Sequence, residues 1–83
     1  MYCVYVLFSN KLGKRYIGCT DDLKTRFKEH NNGKSNYTNR GKPWTLIYYE
    51  AFVSKFDSFN EEKFLKSGKG RERLDFLFKN STK

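Results

Sequence analysis

The run Tyr2 to Phe8 (Tyr-Cys-Val-Tyr-Val-Leu-Phe) is built of β-branched, aromatic and other apolar residues, which suits a buried strand. Ser9-Asn10-Lys11-Leu12-Gly13 follows with turn formers, and Arg15-Tyr16-Ile17-Gly18 returns as a second strand. The chain therefore opens with an antiparallel hairpin whose register decides which side chains meet. Pairing Phe8 with Gly13 sets Tyr5 opposite Tyr16, on a face shared with Cys3 and Leu7. Val4, Val6, Phe8 and Ile17 then take the other face. A slip of one residue would separate the two tyrosines and set Cys3 opposite Cys19. The first register is expected. Gly18 joins the tyrosine face in that register, where its missing side chain leaves room for a bound phosphate.

Thr20 is expected to cap a helix with Asp21 and Asp22 in its first turn, where negative charge complements exposed amides. That helix runs through Leu23, Phe27 and His30 and stops near Asn31-Asn32-Gly33. Residues 34–43 read as a polar loop, and Trp44 to Phe52 as a third strand. Ser58 and Glu61 fit a capping box opening a second helix. Gly68 and Gly70 interrupt it, and Arg71 to Phe78 forms a short last helix.

A length of 83 residues suits one domain, read as residues 1–80 with a tail at 81–83. The aromatic share of 18% is the means of filling so small a core. A net charge of +8, from 17 Lys+Arg against 9 Asp+Glu, suits nucleic acid, although the same excess would serve solubility alone. Cys3 and Cys19 form no metal-binding spacing and read as free thiols in a reducing compartment. The apolar start is too short to span a membrane and lacks a cleavage signature. A cytoplasmic protein with no membrane partner is expected.

Several side chains could carry chemistry. A strand tyrosine is ordinarily a packing residue, but Tyr5 and Tyr16 are expected in a setting beside Lys14, Arg15 and Arg26. A phenol titrates near ~10 in water, and positive charge favours its phenolate, which could take a proton from an attacking water. Arg26 and His30 lie one helical turn apart on the side that carries Leu23, whereas Lys24 and Lys28 fit the solvated face. A guanidinium there can hold two phosphate oxygens. His30, the only histidine, fits a structural role or proton transfer equally. Glu62 falls between Phe59 and Leu65 at helical spacing, where a carboxylate is costly unless paired or bound to a cation. Glu61 is assigned to the capping box.

The order and spacing of Cys3-Val4-Tyr5, Tyr16-Ile17-Gly18, Arg26, His30 and Glu62 resemble the GIY-YIG nuclease family, with Cys3 in place of the first glycine. The run Tyr16 to Gly33 and the segment Glu62-Lys63-Phe64-Leu65-Lys66-Ser67-Gly68 resemble its small stand-alone bacterial members, which are similar to the N-terminal domain of excinuclease C. The resemblance implies an α/β fold with a small three-stranded antiparallel sheet flanked by helices, in the order β-β-α-β-α-α. It implies a metal-dependent endonuclease acting on DNA ahead of RNA, with a role in repair or recombination. Tyr5 would be the general base, Tyr16 and Arg26 would hold the phosphate, His30 would assist, and Glu62 would bind Mg2+ or Mn2+.

Phosphate contacts are expected from Lys14, Arg15, Lys34, Arg40, Lys42, Lys66, Lys69 and Arg71, none of which reads sequence. The segment Ser67-Gly68-Lys69-Gly70-Arg71 fits a phosphate cradle or a plain turn between helices equally well. Specificity would be low, or set by an unknown protein partner. Two other readings compete: a nucleic-acid-binding module with weak or no catalysis, and a basic adaptor for an acidic protein.

Overall fold

The computed structural model describes residues 1–34 and 36–79. The expected tail at 81–83 and the domain end at residue 80 lie outside them. The elements are β1 (Tyr2–Ser9), β2 (Lys14–Thr20), α1 (Leu23–Asn31), a 3-10 turn (Asn39–Gly41), β3 (Trp44–Phe52), α2 (Lys55–Leu65) and α3 (Gly68–Leu77). This is the expected α/β order, and the sheet is antiparallel throughout with strand order β2-β1-β3.

The most apolar strand takes the centre, because only there can both its faces leave water. Val4, Tyr5, Val6 and Leu7 are all buried, each contributing on the order of 1.5–3 kcal/mol if fully removed from solvent. Val4 and Val6 pack with Leu65, Leu74 and Phe78 from the α2–α3 side. Tyr5 and Leu7 pack with Trp44, Leu23 and Phe27 on the α1 side. A bulge between Val6↔Tyr48 and Leu7↔Leu46 leaves Ile47 as the extra residue of β3.

Four local expectations are corrected. The hairpin pairs Tyr5 with Gly18 and Leu7 with Tyr16, so Tyr5 and Tyr16 share a face but stand diagonally rather than opposite. The shift is two residues, which moves partners without exchanging faces. Asp22 rather than Thr20 caps α1, accepting from Thr25 N–H at 3.2 Å, while the Thr20 hydroxyl accepts from Asp22 N–H. Ser54 rather than Ser58 caps α2, accepting from Asp57 N–H. Ser58 is buried one turn inside, where its hydroxyl donates to the Lys55 carbonyl and accepts from the Cys19 thiol. Finally, α3 starts at Gly68, three residues early, because the Ser67 hydroxyl accepts from Gly70 N–H and caps it. A Cβ on Gly70 would overlap the Phe64 carbonyl, so glycine permits the tight α2–α3 corner. That gives the segment's second glycine a packing task.

Candidate active site

Tyr5 stands at the middle of the central strand with only 1% of its surface exposed. Its hydroxyl lies 2.9 Å from His30 Nε2, and the charge of Arg26 acts on the same phenol. Burial raises the Tyr5 pKa from 10.0 to about 12, with Tyr16 adding to the rise and Arg26 opposing it. Desolvation thus outweighs the cation expected to favour the phenolate, and the phenol rests protonated. A Tyr5 base therefore needs an acceptor for its own proton.

His30 fits that need. It projects from α1 into the interior with no exposed surface, and burial, then the charge of Arg26, lowers its pKa below 6.5. The ring is neutral near pH 7 and able to accept. Its Nδ1 lies 2.7 Å from the Thr38 hydroxyl. Thr38 is held in turn by Trp44, whose indole N–H donates to the Thr38 carbonyl at 2.7 Å. The Asn31 side chain clamps Trp44, accepting from its backbone N–H at 2.6 Å and donating to its carbonyl at 3.0 Å.

Tyr16 lies against this cluster, its ring centroid 4.9 Å from that of His30 and 6.3 Å from that of Tyr5. Tyr37, 84% exposed, stacks 5.9 Å outside Tyr16. Gly18 is filled from across the strand pair: a Cβ there would sit 2.5 Å from the Tyr5 hydroxyl. The space expected for a phosphate holds the Tyr5 phenol instead.

Glu62 is half-buried on α2, its charge acting on the Tyr5 phenol, and its carboxylate accepts from Lys66 Nζ at 2.9 Å. Phe59 is 47% exposed while Leu65 is buried, so Glu62 lies at the margin of the apolar stripe and not within it. Among the described residues no three His, Cys, Asp or Glu side chains gather as a metal cluster. A single carboxylate still fits a hard cation whose other positions are taken by water and phosphate.

The expected phosphate contacts divide by place. Lys14, Arg15, Lys66 and Arg71 line a groove of about 1160 Å3 with Tyr16 and Tyr37 along the open edge of β2. Arg15 is already engaged, donating to Asp75 at 2.7 Å and lying over the Phe78 ring. Being on the α3 face, it is not part of the tyrosine setting. Lys34, Arg40 and Lys69 are exposed outside that lining, and Lys42 folds back near Gly33. Arg26, ion-paired with Glu29 at 3.1 Å, lines a smaller recess of about 330 Å3 with Thr20 and Lys55.

A family model for the GIY-YIG catalytic domain matches residues 1–75. The chain belongs to the GIY-YIG family. A UPF0213 protein of Streptococcus pneumoniae is 39% identical over 69 residues, covering 82% of this chain and 70% of the relative. One from Lacticaseibacillus paracasei is 42% identical over 62 residues, covering 74% and 68%. The NMR structure of a UPF0213 protein from Bacillus halodurans superposes with a TM-score of 0.59 at 33% identity, over 98% of this chain and 89% of that one. GIY-YIG domains form a nuclease family, and this one has both motifs on neighbouring strands. Cys3, in the place of the first GIY-YIG glycine, pairs with Thr20 and Ala51 within the sheet. Among the described residues no non-glycine has positive φ, so the substitution demands no unusual backbone.

Two features of this GIY-YIG domain escaped the sequence reading. Thr38 sits in a polar loop with no pattern to single it out. Glu61, assigned to a cap, instead pairs with Glu50 on β3, and this hydrogen bond, then burial, raises its pKa from 4.5 to about 7.

Proposed function

We propose that the protein is an endonuclease that hydrolyses phosphodiester bonds in DNA. The observation that carries this reading is the 2.9 Å contact between the Tyr5 hydroxyl and His30 Nε2, with the charge of Arg26 acting on the phenol. A buried phenol of raised pKa acts as a base only by relay. Tyr5 passes its proton to His30 Nε2 as it takes one from the attacking water. The water oxygen bonds to phosphorus as the P–O bond to the leaving group breaks, and solvent protonates the departing oxygen. Arg26 donates to the non-bridging oxygens as their charge grows. Tyr16 borders the phosphate and shields the relay from solvent.

Glu62 is the residue that would hold Mg2+ or Mn2+, which when bound supplies Lewis-acid stabilisation of that charge. Lys66 covers the carboxylate otherwise. Lys14, Lys34, Arg40, Lys42, Lys66, Lys69 and Arg71 would meet phosphates without reading bases, with Arg15 as groove wall. Low sequence specificity follows, with structure or a protein partner choosing the site, in DNA repair or recombination. Free thiols at Cys3 and Cys19 suit a reducing cytoplasm.

Incubation with branched and single-stranded DNA and RNA, with Mg2+, Mn2+ or chelator, tests the reading. Cleavage that needs the cation and is lost in Tyr5→Phe is expected. Tight, salt-sensitive binding without cleavage of any substrate would leave a binding module in place of a nuclease.

A further inference from the structure

We infer that Thr38 is a positioning residue, whose hydroxyl holds His30 in the Nδ1–H tautomer and so keeps Nε2 open for the proton of Tyr5. The inference rests on the nuclease reading for its catalytic consequence, but the tautomer itself does not.

The protons can be assigned from the contacts. The charge of Arg26 acts on the Tyr5 phenol, but the hydrogen-bond partner of its hydroxyl among the described residues is His30. The phenol has one proton of its own, and His30 Nε2 at 2.9 Å is an acceptor within reach. Giving that proton to Nε2 requires Nε2 to be bare. A neutral imidazole carries its hydrogen on one nitrogen, so Nδ1 bears it and donates to the Thr38 hydroxyl oxygen at 2.7 Å. Both nitrogens then have a partner, with His30 and Thr38 at most 1% exposed. The reverse arrangement would leave the buried phenol proton without an acceptor among the described residues, and Nε2 could not take a proton.

Thr38 is itself fixed from outside the site. The Trp44 indole donates to its carbonyl, and Asn31, the residue after His30, clamps the Trp44 backbone. The loop between α1 and β3, expected from sequence to offer phosphate contacts through Lys34, Arg40 and Lys42, thus also orients the imidazole through Thr38. A hydroxyl rather than a carboxylate at Nδ1 leaves the resting ring neutral, consistent with a relay that must receive a proton near pH 7.

Because His30 is the only histidine, ring 15N shifts of 15N-histidine-labelled protein report this tautomer without assignment. Wild type near pH 7.5, free of nucleic acid, is expected to show a protonated Nδ1 and a bare Nε2. Thr38→Val keeps shape and removes the acceptor, so signal moves to the Nε2–H form. The cleavage rate at saturating enzyme then falls about tenfold to a hundredfold, less than the ~10^4 lost when a buried carboxylate orienting a catalytic histidine is replaced. Affinity for DNA stays within about twofold, and Thr38→Ser restores tautomer and rate to within about threefold. A bare Nδ1 in wild type overturns the inference, and that spectrum needs no variant to fold. So does a Thr38→Val protein that keeps the Nδ1–H form, or one that changes tautomer at full rate. A wild type that cuts nothing yet shows Nδ1–H sinks the nuclease reading and leaves the hold of Thr38 on the ring standing.

Discussion

Tyr5 and Gly18 face each other across β1 and β2, and the phenol occupies the volume that a side chain at Gly18 would need. The glycine closing the second motif thereby lets the tyrosine of the first lie flat and reach His30. Gly18→Ala places a methyl 2.5 Å from the hydroxyl oxygen, and neither the ring nor the strand can move far in a packed interior. Overpacking of this kind costs typically about 1–3 kcal/mol. A lowered melting temperature, with cleavage reduced further than stability explains, is the expected outcome. An alanine variant as stable and active as wild type would show that the phenol has room to spare.

Acid should stop the reaction by protonating His30. Its pKa is lowered below 6.5 by burial, so the saturated rate is expected to hold steady through neutral pH and to fall only at a pH below 6.5. Single-turnover rates across pH check this. A rate that instead climbed steadily from pH 7 to 10 would mean that free phenolate, formed without the imidazole, is the base.

Glu61 makes stability depend on pH in the opposite sense from an ordinary ion-paired carboxylate. The folded group keeps its proton up to about 7, against 4.5 for the reference carboxyl, because it shares a hydrogen bond with Glu50 and is partly buried. The folded state binds the proton more tightly, so this contribution is full below 4.5 and is lost as pH rises towards 7. Thermal melts should show Glu61→Gln flattening that decline and raising the melting temperature above pH 7. An unchanged slope would place the pH dependence elsewhere.

Arg26 and Arg71 should separate rate from binding. Arg26→Ala is expected to lower the saturated rate about a hundred- to a thousandfold, as loss of one preorganised donor does, with little change in affinity. Arg71→Ala should weaken binding to all sequences alike and reduce the salt slope by about one unit. Binding isotherms at two salt concentrations beside single-turnover rates measure both. Weaker binding with an unaltered rate in Arg26→Ala would make it a docking residue.

Glu62→Gln keeps shape and removes the charge that attracts a cation, so loss of metal-dependent cleavage with retained fold is expected. Mn2+ titration followed by relaxation gives a readout independent of substrate. Binding of Mn2+ as tight as in wild type would assign the cation to another group.

Much of the fold was legible because period and composition are local properties. Tyr2 to Phe8 could only be a buried strand, and strand alternation sorted Tyr5, Leu7 and Tyr16 from Val4, Val6 and Ile17 whichever odd-sum register held. The register itself was not legible, since a two-residue shift preserves the faces; the turn decides it, with Gly13 N–H donating to Ser9 O at 2.8 Å and strand pairing resuming at Lys14. Caps failed for a related reason. Ser54 and Ser58 are both followed three residues later by an acid, and only the burial of Ser58 against Cys19 chooses between them.

The sequence by itself determined the element order and so the places of the candidate groups, with Tyr5 and Tyr16 on the first two strands, Arg26 and His30 on the first helix and Glu62 on the second. Only the tertiary structure decided their chemical state. It brought Thr38 to His30 Nδ1 and set Glu61 beside Glu50. It also buried Tyr5 deeply enough that desolvation outweighs the neighbouring arginine. Protonation depends on what surrounds a group from every direction, and those neighbours, such as Tyr5 and His30 25 residues apart, come together only when the chain is folded.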